Sequence, residues 1–309
     1  VSDRYLLSGV LVTSDVPLPC EPLDDAVHPP SDALTFLVEP PADPRPNEAH
    51  PWDLRDSGLA IARVGTGFVL RATGYADFLL DASATTVRCI PRTGCPEAIS
   101  TQLFVDQVFP LVLHARGRFA FHASSVLLPS GVVVGFLGRS GLGKSTLAAS
   151  FAACPQHALF GDDCLAIVPS TTRLSALPSY TSARLWPPSA EALFAHRGEL
   201  PFVSPRSEKR RAELAVAESL HEAPLTRLYL LAEGEPLRFT PLRRAAALFA
   251  LTPHVYRLDP SDRTRLAQEL AWLEAIVRGV PVAELAYPRR FEALAEVHAA
   301  VREDAERAS

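Results

Sequence analysis

The stretch Gly138-Arg139-Ser140-Gly141-Leu142-Gly143-Lys144-Ser145 constrains this chain more than any other. It fits G-x-x-x-x-G-K-[ST], with an apolar run at 132–137 before it and the helix former Thr146-Leu147-Ala148-Ala149 after it. Such a pattern asks for a buried strand, a tight loop and a helix start. Glycines let backbone N–H groups converge on phosphate oxygens without Cβ clashes. The helix N-terminus adds partial positive charge. Lys144 offers a compact ammonium to the β and γ phosphates, and Ser145 a hydroxyl to Mg²⁺. The expected ligands are therefore ATP or another nucleoside triphosphate, with Mg²⁺. The expected contacts are Gly138, Ser140, Gly141, Leu142, Gly143, Lys144, Ser145 and Thr146.

Composition sharpens one of these residues. Of 30 basic residues only Lys144 and Lys209 are lysine. A chain that has otherwise taken arginine keeps lysine where a forked guanidinium would bond differently, as in a phosphate loop.

Asp162 and Asp163 follow a short apolar stretch, 18 and 19 residues past Lys144. In a parallel sheet that stretch can lie beside the loop strand, with its end opening onto the same crevice. Two adjacent carboxylates allow one to stay ionised toward a metal and the other to accept the proton of an attacking hydroxyl. For one Asp alone, capping a turn is the competing explanation. His122, in Phe121-His122-Ala123-Ser124-Ser125, lies in the strand before the loop strand. Spacing does not bring it to the phosphates, and a satisfied core histidine is the commoner outcome for such a residue.

The wider composition excludes several classes. A chain of 309 residues, 48% hydrophobic and 21% charged, has room for a large core. A formal net charge of −5 argues against a dedicated duplex-DNA binder. No apolar run approaches the roughly 20 residues of a spanning helix. The first residues show no basic-then-apolar leader pattern. Cys20, Cys89, Cys95, Cys154 and Cys164 are odd in number and lack metal-ligand spacing, which suits a reduced, cytoplasmic protein. Neither nucleic acid nor a membrane is an expected partner.

Patterning divides the chain at about residue 112. Residues 1–112 read as a small β-rich domain, with strands at 6–13, 34–38, 58–64, 68–72 and 86–90. A proline-rich loop carries Pro40, Pro41, Pro44 and Pro46. Asp24, Asp25 and His28 lie close in sequence and read as turn residues. A helical pattern covers 100–114, with Pro110 as a potential kink and Gly117 as its stop. Residues 113–309 alternate strands and helices and read as an α/β domain. Strands are expected at 119–128, 132–137, 158–160, 164–168, 227–232 and 282–286. Helices are expected at 144–153, 241–251, 261–278 and 288–302.

Taken together, His122-Ala-Ser-Ser, the loop from Gly138 to Thr146 and Gly161-Asp162-Asp163 resemble the HPr kinase/phosphorylase superfamily, whose P-loop domain is related to that of phosphoenolpyruvate carboxykinase. The segments Tyr5 to Leu18 and Gly279 to Arg289 are similar to those of HPr-kinase-related proteins from gene clusters for ribosomally made peptides, including lasso peptide kinases. The resemblance implies a mixed-sheet P-loop kinase domain of HPr kinase type behind a small β-rich domain. It implies that Lys144 and Ser145 bind phosphate and Mg²⁺, that Asp162 assists the metal, that Asp163 is the base toward a substrate hydroxyl, and that His122 stands on the phosphate side. It implies a peptide acceptor, a lasso-type precursor above all. No Glu-x-Arg-Gly type signature occurs between Val168 and Leu214, which counts against phosphorolysis and against HPr as acceptor. A nucleotide-sensing regulator and a small-molecule hydroxyl kinase stay open as other readings. The N-terminal domain could bind substrate, mediate a homo-oligomer or brace the kinase domain.

Three more basic residues are candidates for phosphate or substrate. Lys209 and Arg210 lie in Ser207-Glu208-Lys209-Arg210-Arg211, which reads either as a solvated helix start or as a loop reaching the γ-phosphate. Arg184 either lines the crevice or packs beside Trp186. Trp52 and Trp272 read as core or interface anchors.

Overall fold

The β-rich start and the α/β remainder form two compact units, Val1–Gly117 and Arg118–Ser309. The computed structural model describes residues 2–24, 31–42, 53–54, 58–170, 173–180, 182–203, 207–214 and 221–307. Asp25, His28, Pro44, Pro46 and Trp52 lie outside the described residues. The border falls after Gly117 rather than at 112, because a helix runs through the expected boundary to Ala115.

In the first unit, β1 (Asp3–Leu7), β2 (Val10–Ser14), β3 (Ala33–Val38), β4 (Asp53–Leu54), β5 (Leu59–Val64), β6 (Gly67–Ala72), β7 (Ala76–Leu80) and β8 (Thr86–Pro91) form one sheet. Its order is β1-β2-β3-β8-β7-β6-β5-β4. The single strand expected at 6–13 is a hairpin, turned at Ser8 and Gly9, both with positive φ. A helical stretch follows as α1 (Glu97–Leu103), a π-helical turn (Phe104–Val108) and α2 (Phe109–Ala115). Pro110 sits in the first turn of α2, directly after the π-helical turn.

The second unit holds β9 (Ala120–Phe121), β10 (Ser124–Leu127), β11 (Val133–Leu137), α3 (Lys144–Ala152), β12 (Ala158–Gly161), β13 (Leu165–Pro169), β14 (Leu174–Leu177), β15 (Ser182–Leu185) and α4 (Pro187–Phe194). It continues with β16 (Arg210–Glu213), β17 (Ala223–Glu233), β18 (Arg238–Pro241), α5 (Arg244–Leu251), α6 (Arg263–Gly279), β19 (Val282–Tyr287) and α7 (Leu294–Glu306). The long β17 is the spine. On one flank it pairs in parallel with β11; on the other its start pairs with β14 and its end with β19. One branch runs β12-β10-β11-β17-β19-β18 and the other β17-β14-β13-β9.

Both faces of this sheet are buried, and β11 divides its side chains between them. Val134 and Phe136 join a core with Leu147 and Phe151 of α3 and Val297 and Val301 of α7. Val133 and Leu137 join a second core with Leu251 of α5 and Leu273 and Ile276 of α6. A strand buried on both sides has to be continuously apolar, which is why 132–137 stands out in the sequence. Trp272 packs against Phe119 and Phe121, with ring centroids 5.3 and 5.0 Å away, and so is the core anchor expected of it. All five cysteines are without disulfides. Among the described residues no helix is long and apolar enough to cross a membrane.

A second expected strand proves to be composite. Residues 119–128 split into β9 and β10, which belong to different branches of the sheet. The chain changes branch at His122 and Ala123. It changes back between β12 and β13, at Asp162, Asp163 and Cys164, where Asp163 takes a left-handed φ of 62°. These two crossings lie side by side. Asp162 does not follow a strand next to β11, as the spacing suggested. β10 lies between β11 and β12 and is antiparallel to both. Two reversals leave β12 parallel to β11, so their C-terminal ends still share one edge of the sheet.

Candidate active site

That edge is where the glycine-rich loop opens. β11 ends at Leu137, and the loop turns through Gly138, Gly141 and Gly143 with φ of 153°, 85° and 88°. No side chain caps α3, whose N-cap is the left-handed Gly143. The first-turn N–H groups of α3 are thus left for an anion. Lys144 Nζ is buried and donates to Gly138 O at 2.9 Å, curled back over the loop. Ser145 is half-buried at the helix start. Thr146 Oγ1 points elsewhere, 3.0 Å from Ser189 Oγ on α4, so only its backbone N–H faces the loop side.

Antiparallel pairing puts the start of β10 level with the end of β11, as in the Ser124–Phe136 pair. The hairpin between these strands therefore carries His122 to the phosphate edge, contrary to what spacing suggested. Ser124 Oγ donates to Asp162 Oδ1 at 2.6 Å, and the Arg184 N–H donates to Asp162 Oδ2 at 3.1 Å. Asp162 is fully buried, at 0% exposure. Asp163 keeps 20% of its side chain exposed and pairs with Arg184 Nη2 at 2.5 Å. His122 Nδ1 lies 3.7 Å from Asp163 Oδ1 and 3.0 Å from Tyr256 Oη. Tyr256 Oη in turn donates to the Asp163 carbonyl at 2.7 Å.

The charges of the pair are unequal. Burial pushes the Asp162 carboxyl up, and the neighbouring Asp163 charge adds to this. Burial also acts on Asp163, but Arg184 first, then His122, Lys209 and Lys144, outweigh it and hold that carboxyl below its ordinary range. Arg184 is the counter-ion that faces Asp163, and this sets the two carboxylates apart. Burial lowers Lys144 and His122 as well, with both carboxylates opposing. His254, whose carbonyl accepts from the His122 N–H at 2.7 Å, is pushed down to about 4 by burial and by the neighbouring cations. At neutral pH His254 is uncharged.

The three added basic candidates separate. Arg184 is 8% exposed and belongs to the Asp pair, not to a packing role beside Trp186, which is 52% exposed. Lys209 Nζ lies 5.4 Å above the Trp186 ring, near enough for its charge to act on Asp163 and Lys144. Arg210 is a correction. It opens neither a helix nor a loop onto the γ-phosphate. It begins β16, opposite Leu185 of β15, and strand alternation turns it away from Lys209. Its guanidinium bonds Glu199 at 3.0 Å and stacks 3.7 Å from the Phe202 ring centroid.

Ser124, Tyr180, His254, Tyr256 and Arg289 were missed at the sequence level. Ser124 was visible within the His-Ala-Ser-Ser string. Tyr180, which accepts from Arg184 Nη2, lies in the segment just before that arginine, and Tyr256 reaches the site from a distant segment with no local signal. Arg289 Nη2 donates to Gly141 O at 2.5 Å across 148 residues of chain.

No family model matches this chain, and no curated protein matches it. Among solved structures it is similar to the HPr(Ser) kinase/phosphatase from Coxiella burnetii, at 14% identity and a TM-score of 0.31, over 60% of this chain and 95% of that one.

Proposed function

We propose that this protein is a Mg²⁺-dependent kinase that moves the γ-phosphate of ATP, or of another nucleoside triphosphate, to a Ser or Thr hydroxyl of a peptide. The meeting of the phosphate loop and the Asp pair on one sheet edge carries this reading. A loop of this shape binds polyphosphate. A carboxylate that is held ionised, yet partly exposed, is what a hydroxyl needs as a proton acceptor.

The acceptor oxygen attacks the γ-phosphorus, the bond to the β–γ bridging oxygen breaks, and ADP leaves with that electron pair. Asp163 takes the hydroxyl proton. Arg184 orients Asp163 and keeps it ionised. Lys144 and the loop amides hold the developing charge. His122, within reach of Asp163, fixes that carboxylate's surroundings together with Tyr256. Lys209, parked on Trp186, supplies a cation on the acceptor side. Ser145 by its hydroxyl and Asp162 by its carboxylate, through water, would hold Mg²⁺, with phosphate oxygens and further water as the other ligands. Among the described residues no group of three or more His, Cys, Asp or Glu forms an all-protein metal cage. When bound, Mg²⁺ neutralises phosphate charge. The resemblance to lasso peptide kinases supports a ribosomally made precursor peptide as the acceptor.

The test uses purified protein, Mg²⁺, ATP labelled at the γ position, and a panel of hydroxyl peptides. The panel includes any short precursor encoded beside the gene. Labelled peptide and ADP should form one for one, and Asp163→Asn should abolish transfer while ATP binding survives. Nucleotide binding without transfer to any peptide would overturn the reading, and label on a small hydroxyl compound would move the acceptor. An ATP-dependent output that persists in Asp163→Asn would make the protein a sensor.

A further inference from the structure

The site has a second side. If the γ-phosphate faces the Asp pair on the β10/β12 flank of the loop, the α-phosphate and nucleoside must leave toward the opposite flank, since a polyphosphate chain cannot fold back through the loop. That flank is the ends of β17 and β19, which are parallel to β11 and pair there as Glu233 with Tyr287. Strand ends flanking a crevice are where α/β sheets hold ligands. Tyr287 stands against the loop: its Oη would be 3.3 Å from a Cβ placed on Gly143. Arg289 reaches back over the loop tip, donating to Gly141 O and lying 4.0 Å from Glu233 Oε2. Its side chain is 38% exposed, so the guanidinium can move.

We infer that Arg289 is a nucleotide-positioning residue that exchanges the Gly141 carbonyl for the α-phosphate of a bound nucleoside di- or triphosphate. The neutral carbonyl is a weaker acceptor than a phosphate oxygen, and a guanidinium fork matches two phosphate oxygens at once. Glu233, at the edge of ion-pair distance, holds the side chain on the correct side of the loop when no anion is present. This inference rests on the nucleotide-binding reading above.

The experiment measures binding of ADP, ATP and inorganic pyrophosphate, each with Mg²⁺, to the wild type, Arg289→Ala, Arg289→Lys and Lys144→Ala. Arg289→Ala should weaken ADP and ATP by roughly tenfold or more, the size of a hydrogen bond to a charged group. It should spare pyrophosphate, which fills the β and γ positions alone. Arg289→Lys should recover part of the loss. Thermal melts of each variant report folding. Equal weakening of all three ligands would show that Arg289 only braces the loop and would overturn the inference, as would unchanged ADP affinity. If the wild type binds none of them, or Lys144→Ala binds all as well as the wild type, it is the nucleotide reading that has failed.

Discussion

Arg184 Nη2 stands 2.5 Å from Asp163 Oδ2, while the backbone N–H of the same arginine donates to Asp162 Oδ2 at 3.1 Å. One residue thus holds both carboxylates, one by charge and one by a neutral hydrogen bond. β15 positions it: Arg184 pairs with Arg211 of β16, which leaves its side chain facing the Asp crossing. The Arg184 charge is the largest of those that hold Asp163 low, while burial raises Asp162.

Arg184→Met tests it. Removing one partner of a buried pair leaves an uncompensated charge, at a cost of about 3–5 kcal/mol. Because Asp163 is partly exposed, the lower end of that range is expected in urea unfolding at pH 7. The linkage has a sign. Asp163 is lowered in the folded state, so its stabilisation is present above the ordinary carboxylate pKa and is lost as pH falls through the folded value. Asp162 is raised, so it favours folding when protonated and that contribution is lost as pH rises through its folded value. In Arg184→Met the acid limb of transfer should move to higher pH. An unmoved limb would remove Arg184 from control of the base.

Asp163→Asn should lower the transfer rate by about 10²- to 10⁴-fold, the usual weight of a positioned acid or base, and leave ATP affinity within about threefold. Lys144→Ala should do the reverse in binding, weakening ATP strongly. Equilibrium binding and single-turnover transfer separate the two.

Lys209→Ala should cut transfer severalfold at saturating ATP, with nucleotide affinity little changed, because its charge lies on the acceptor side over Trp186. Lys209→Arg keeps a cation on the ring but replaces a point charge with a broader fork, so a smaller loss is expected. Unchanged transfer in Lys209→Arg would make the second lysine a remnant of composition.

His298 offers a stability test away from the chemistry. It lies on α7 against α3, with Nε2 2.8 Å from Ser150 Oγ and Nδ1 3.7 Å from Cys154 Sγ. Burial pushes it down to about 4 from the ordinary 6.5. The unfolded chain therefore binds its proton first. Stability is full above about pH 6.5 and falls progressively as pH drops toward 4. Urea midpoints across this window should decline in the wild type and decline less in His298→Gln. Parallel declines would place the acid sensitivity elsewhere.

The phosphate loop was legible because its chemistry is local. Eight consecutive residues hold the glycines, the lysine and the hydroxyl, and the strand and helix on either side follow from unbroken apolar character and good helix formers. The Asp pair was legible as a candidate for the same reason. The strand boundaries around His122 were not, since a largely apolar run does not reveal that its two halves join different sheet branches. β15, β16 and α4 were missed as elements, and with them the settings of Arg184 and Arg210. Short strands that pair mainly with each other show little periodicity of their own.

By itself, then, the sequence determined a glycine-rich loop between a strand and a helix, an acidic pair behind it, and a buried strand between two layers, each through contacts among neighbours in the chain. Only the tertiary structure decided which carboxylate is held ionised, that His122 and Ser124 reach the phosphate edge, and which of the basic candidates faces the site. Those outcomes depend on strand order and on two adjacent crossings between sheet branches. Ionisation in a buried site is set by whichever cation the fold brings within a few ångströms, and for Asp163 that cation lies 21 residues further along the chain.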